Sequence, residues 1–133
     1  VSFFYGSTSN LIDRSIKCSE KYNFNKFLRV CGDRPFFSYK YINDAILKMN
    51  SKKINYDLIS NNKFDKKVDQ GVTVEIISVN SLKKLKKFRL KKYDLENLTS
   101  YFYKYQHKFN MHYLSSPKNW FLNNKYTIDN IVD

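Results

Sequence analysis

The stretch GVTVEIISV, Gly71–Val79, constrains the fold more than any other part of this chain. Its Val and Ile residues favour a pleated backbone. Apolar side chains fall on both faces, so both must be covered, which places the strand inside a sheet and not at its rim. Its one charged residue is Glu75. A carboxylate in an apolar strand needs a partner or a task, because burying an unpaired charge is costly.

A second clear element precedes it. Ile42, Ala45, Ile46 and Met49 recur at i, i+3, i+4 and i+7, which predicts an amphipathic helix over residues 38–50 with Ser38 as its N-cap. A helix and a strand of this kind pack face to face. The 133 residues suffice for one domain with a modest core. Aromatic residues make up 17% of the chain, so few positions supply much buried area.

The remaining segments are read as follows. VSFFY is a possible short strand, and NFNKFLRV fits strand or helix equally. Residues 51–70 read as loops around one or two short strands, with a turn at Asn61-Asn62. The basic block Ser81–Asp94 has two readings. As a helix, Leu82, Leu85 and Phe88 share a face; as a strand from Lys87, Lys87, Arg89 and Lys91 oppose Phe88 and Leu90. Loop followed by strand is preferred. The aromatic runs Leu98–Gln106 and Lys108–Leu114 alternate around a tight turn and predict an antiparallel hairpin. The tail holds Pro117, Trp120 and the apolar Tyr126, Ile128 and Ile131, and is expected to pack back on the domain. The expected fold class is α+β, one main helix on a central antiparallel sheet. It would form a single domain over 1–133, with an N-terminal extension to about residue 28 and a tail from about residue 115.

Lys and Arg outnumber Asp and Glu by 24 to 12. The net charge of +12 favours anionic partners such as RNA, or simply keeps a Lys-rich surface soluble. The lysines Lys83, Lys84, Lys86, Lys87 and Lys91, beside Tyr101 and Tyr103, are the candidates for phosphate and base contacts, in RNA or in a protein partner. At strand spacing Tyr101, Tyr103 and Tyr105 also fit cross-strand packing. Cys18 and Cys31 are too few for a zinc site. They form a disulfide worth roughly 3 kcal/mol, or remain two free thiols. No apolar run is long enough to span a membrane. The absence of an initial Met suggests a processed or trimmed start. No cofactor or metal is implied.

Cys31-Gly32, Phe36-Phe37-Ser38, Ile42 and Ala45 resemble the opening of the small fungal guanyl-specific ribonucleases. Glu75 in VTVEIISV, Arg89 in KKFRLKK and the late YFYKYQHKF extend the resemblance. RVCG at Arg29–Gly32 and the Lys- and Asn-rich composition are similar to the ribonuclease-like secreted effectors of powdery mildew fungi. The resemblance implies a microbial ribonuclease fold and a cysteine partner near the C-terminus. This chain has none there, so Cys31 would pair with Cys18 or stay reduced.

Ribonuclease chemistry needs a base, an acid and a phosphate-holding cation. The resemblance assigns Glu75 and Arg89 to two of these roles and puts Lys104 where the acid belongs. A Lys with a pKa of about 10.4 is a poor acid at neutral pH. His107 and His112 fall off the matching position. Glu75 with Arg89 also reads as a plain cross-strand ion pair. The resemblance therefore implies a non-catalytic, secreted effector delivered to the host cytoplasm. It would bind plant protein or RNA and be recognisable by an intracellular immune receptor. The alternatives are an active small ribonuclease and a basic, non-specific RNA-binding module.

Overall fold

The computed structural model describes residues 2–36, 38–51, 54–63, 69, 71–115, 124 and 126–128. Its elements in chain order are α1 (Leu11–Tyr22), β1 (Lys26–Arg29), α2 (Tyr39–Met49), β2 (Leu58–Ser60) and β3 (Glu75–Ser78). They continue with α3 (Val79–Leu85), α4 (Lys92–Glu96), α5 (Ser100–Lys104), a 3-10 turn at Gln106–Lys108 and β4 (Met111–Tyr113).

The four strands form one sheet in the order β1-β3-β2-β4. β3 runs antiparallel to both neighbours, with Ile77 opposite Phe27 and Leu58, and Ile76 opposite Leu28 and Ile59. β4 runs parallel to β2, Ile59 facing His112. The sheet is mixed, where an antiparallel one was expected.

Because successive strand residues point to opposite faces, the register sorts the core into two layers. Leu58 and Ile77 join Ile12 and Ile16 of α1, Leu82 and Leu85 of α3, and Tyr101 and Phe102 of α5 in the larger cluster. Ile59 and Ile76 join Val74, Tyr56, Ala45 and Met49 in the second, against α2. Helices therefore cover both faces, which explains why β3 is apolar on both sides. The expected layout, one helix on one face, is corrected by this second layer.

α1 is the longest helix among the described residues and was not anticipated. Asn10 caps it, its side chain accepting from Asp13 N at 2.9 Å. Asn23 ends it in the left-handed region, φ 53°, with its N–H on the Ser19 carbonyl. Ile12 and Ile16, one turn apart, enter the core. Residues 1–28, read as an extension, thus supply α1 and most of β1.

α2 falls where predicted; of its stripe Ala45 and Met49 are buried and Ile42 is half-buried, but Ile46 is 40% exposed. Ser38 precedes it, but its hydroxyl makes no capping bond. Residues 2–5 do not form a strand. The basic block is helical at Val79–Leu85, with Leu82 and Leu85 in the core and Phe88 packed against it. The expected hairpin is also absent. Ser100–Lys104 is a helix, and only Met111–Tyr113 is a strand. Phe102 is fully buried and stacks edge-on with Phe109 at 4.7 Å. Both replaced readings took alternation in short aromatic or basic runs for strand, where helical burial of every third or fourth residue decides.

Gly71 adopts φ +102°, and the Tyr126 carbonyl lies where a Cβ would project. Only glycine permits this approach. Ile128 N donates to the Asp33 carbonyl at 2.9 Å. Residues 126–128 therefore lie against the domain; Pro117, Trp120 and Ile131 are outside the described residues. No helix among the described residues is long and apolar enough to cross a membrane.

Candidate functional site

Glu75 opens β3 and points into the α1/α5 layer, 4% exposed. Its Oε1 accepts from the Thr99 hydroxyl at 3.0 Å and the Tyr103 hydroxyl at 2.7 Å. Its Oε2 accepts from the Arg29 guanidinium at 3.2 Å. The Tyr103 oxygen also lies 2.7 Å from Ser60 Oγ. With one proton, the phenol serves the carboxylate while the serine hydroxyl completes the chain. Burial, then the Glu75 charge, pushes the Tyr103 phenol well above its ordinary pKa, so it stays protonated. Burial works against the Arg29 charge, but Glu75 and the Cys31 thiol outweigh it and raise its pKa. Both Glu75 oxygens are occupied. The group holds strands and α5 together and is not a free base.

The cation on Glu75 is thus Arg29 of β1, adjacent across the ladder. Arg89, the expected partner, is exposed beyond α3. His107 is exposed in the 3-10 turn, and His112 on β4 packs on Tyr56 at 5.1 Å. Neither hydrogen-bonds to Glu75. Burial, then Lys48, lowers the His112 pKa.

Outside this network lies an open cleft of about 360 Å³. Tyr103 forms its inner wall, Tyr93 and Ser100 line it, and Lys63, Lys91 and Lys104 surround it. Asp94 fixes the rim, accepting from Lys91 N at 3.0 Å and Ser100 Oγ at 3.2 Å. None of the three lysines has an ion-pair partner among the described residues. Three such ammonium groups around one cleft suit an anionic ligand.

The other predicted lysines are placed differently. Lys83 pairs with Glu20 at 2.8 Å and Lys86 with Asp13 at 3.2 Å, both tying α3 to α1. Lys84 reaches Asp57 at 2.9 Å. Lys87 is exposed, and only Lys91 joins the cleft. Tyr101 is buried, packed on Tyr105 at 4.5 Å, and presents no face for stacking bases. Cys18 and Cys31 are both free thiols. Among the described residues no group of three His, Cys, Asp or Glu could hold a metal ion.

Asp57 forms a second buried carboxylate site. It accepts from the Ser81 hydroxyl, from Lys84, and from Asn110 N at 2.8 Å. Burial would raise its pKa, but these three donors together lower it. Lys63, Tyr93 and Ser100, missed as site residues, carry no motif of their own. Only the proximity of β2 to α4 and α5 brings them together.

No family model matches the sequence. An uncharacterised protein of the archaeon Methanocaldococcus jannaschii is 29% identical over all of this chain and 53% of its own length. A cytidylyltransferase structure from Leptospira borgpetersenii superposes with a TM-score of 0.85. It covers 98% of this chain and 54% of that one, at 24% identity. The chain thus spans about half the length of the proteins it matches. These findings overturn the ribonuclease resemblance. The fold is that of the cytidylyltransferase structure, and the sequence relative is archaeal, so neither a secreted fungal effector nor a plant virulence role stands. The reading as a non-enzyme falls too. It counted missing residues against a ribonuclease site, whereas the protein sharing this fold is an enzyme.

Proposed function

We propose that this chain carries part of the active site of a cytidylyltransferase, an enzyme that transfers a cytidylyl group from CTP to a nucleophile and releases pyrophosphate. The observation that carries this is the match of 98% of the chain to a cytidylyltransferase at a TM-score of 0.85. The cleft supplies chemistry of the right sign. Lys63, Lys91 and Lys104 meet the negative charge of a nucleotide or of an anionic acceptor. That charge grows as the bond to the leaving pyrophosphate breaks. Tyr103, fixed by Glu75 and Ser60, keeps the wall rigid, and preorganised donors stabilise developing charge without rearranging.

The test is calorimetric titration with CTP, UTP, ATP and GTP, alongside pyrophosphate release with CTP and hydroxyl-bearing acceptors. CTP should bind best. Lys91→Ala combined with Lys104→Ala should weaken binding about tenfold or more, since each tenfold loss needs only about 1.4 kcal/mol. Equal binding of all four nucleotides, or no binding of CTP, would overturn the proposal.

A further inference from the structure

Folding divides the cations of this chain into two groups. Around α1 and α3, Lys17, Lys83, Lys84 and Lys86 each reach a carboxylate, at 2.8–3.2 Å. Beyond α3 the pattern changes. Lys87, Arg89, Lys104 and Lys108 are exposed, and none has a carboxylate within ion-pair distance among the described residues. Lys104 Nζ stands 5.2 Å and Lys108 Nζ 5.1 Å from the centre of the Tyr105 ring. The two ammonium groups are therefore within about a Debye length of each other, roughly 10 Å at 0.1 M salt. Lys108 Nζ is also 5.5 Å from the centre of the Phe88 ring, and Lys87 and Arg89 flank that residue in the chain. Lys104 borders the cleft with Lys63 and Lys91, so the positive face continues into it.

The carboxylates nearby are engaged elsewhere. Asp94 is buried and accepts from Lys91 N and Ser100 Oγ, and Glu96 lies 3.8 Å from Lys92. Like charges held this close repel one another. Solubility alone is served by interspersed signs, as around α1 and α3, so a one-signed face fits an anionic partner better. The rings on this face are already used. Tyr105 packs on Tyr101 at 4.5 Å and carries the two ammonium groups. Phe88 packs on Tyr101 at 5.3 Å and on Phe109 at 6.3 Å. Neither offers a free face for a stacked base, the usual anchor of single-stranded nucleic acid. What remains is a set of point charges on flexible stems. These match a bilayer, whose anionic headgroups move laterally to meet them, and each basic residue near such a surface adds to affinity. Tyr93, 66% exposed at the cleft rim, has the amphipathic kind of ring that settles at headgroup depth.

We propose that the face carrying Lys87, Arg89, Lys104 and Lys108 docks this chain on the surface of an anionic lipid bilayer, with the cleft beside the contact. The attachment is electrostatic and peripheral, and no segment enters the hydrocarbon. The proposal does not depend on CTP being the ligand of the cleft, so nucleotide binding and bilayer docking are tested separately.

The chain is sedimented with vesicles of phosphatidylcholine, either alone or mixed equally with phosphatidylserine. Binding is expected to the mixed vesicles only, and it should fall steeply as salt is raised. Lys87→Ala, Arg89→Ala and Lys108→Ala together should weaken it on the order of a hundredfold, about fivefold for each charge removed. Circular dichroism and CTP titration of this variant should match the parent, because none of the three residues lines the cleft. No sedimentation with the mixed vesicles, or equal sedimentation with both kinds, would overturn the proposal. So would a folded variant that binds as well as the parent, or RNA that displaces the chain from mixed vesicles at equal phosphate concentration. Should the variant not fold, the salt series of the parent decides, and sedimentation indifferent to salt would sink the idea.

Discussion

At the scale of single residues, the buried carboxylates Glu75 and Asp57 behave differently. Tyr103→Phe removes one of the donors on Glu75 and leaves Ser60 without its phenol partner. Losing a hydrogen bond to a charged group inside the protein costs about 1.5–3 kcal/mol. Urea unfolding should show a lowered midpoint with an unchanged slope. Asp57 offers a pH test. Its folded-state pKa lies below its ordinary value of 3.8. Its contribution is therefore complete above the unfolded-state value and is lost as pH falls through the depressed folded-state one. Stability measured from pH 5 downward should fall less steeply in Asp57→Asn than in the parent. An identical acid limb would show that the Ser81, Asn110 and Lys84 contacts do not favour the charged form. Glu75 was legible as a residue needing a partner, because its strand is otherwise apolar. Arg29 was not legible as that partner, because only strand register puts β1 beside β3.

At the scale of elements, what the sequence conveyed depended on length and pattern. α2 was readable from its helical periodicity and β3 from its run of Val and Ile, although only Glu75–Ser78 of the expected Gly71–Val79 is strand. α1 had a usable signal, Asn10 followed by Asp13 and then Ile12 and Ile16 four apart, which the unusual mix of neighbours obscured. α5 was unreadable by periodicity, since SYFYK is too short to separate a repeat of two from one of 3.6. Burial settles it, and this can be measured. Phe102→Ala should destabilise by about 3–5 kcal/mol, as aromatic truncations in a core do. The same change at Tyr93, 66% exposed, should cost far less. Comparable losses in both would argue that α5 is not the buried element described. Gly71→Ala tests a loop in the same way. The strained φ and the Tyr126 carbonyl leave no room for a methyl, so thermal unfolding should move down.

At the scale of the whole molecule, basic charge is redistributed by folding. The lysine block looked like one continuous patch, yet Lys83, Lys84 and Lys86 are spent on internal ion pairs. The unpaired cleft lysines come instead from three separate segments. No linear reading could assemble them. If CTP occupies that cleft, ligand at a hundred times its dissociation constant should add about 2.7 kcal/mol to unfolding stability. A melting temperature indifferent to CTP would contradict the proposed function.

The parallel pairing of β2 with β4 also bears on how the chain reaches its final form. Asp57 and Asn110, 53 positions apart, are joined by backbone and side-chain bonds at the end of that pair. Closing so long a segment is slow compared with forming local helices. During synthesis α1, β1, α2 and β3 can assemble early, while one side of β2 waits for β4, which is made after the other three strands. A nascent polypeptide stopped before Met111 therefore leaves one edge of the apolar β2 unpaired, and a chaperone that recognises such edges would act in that interval.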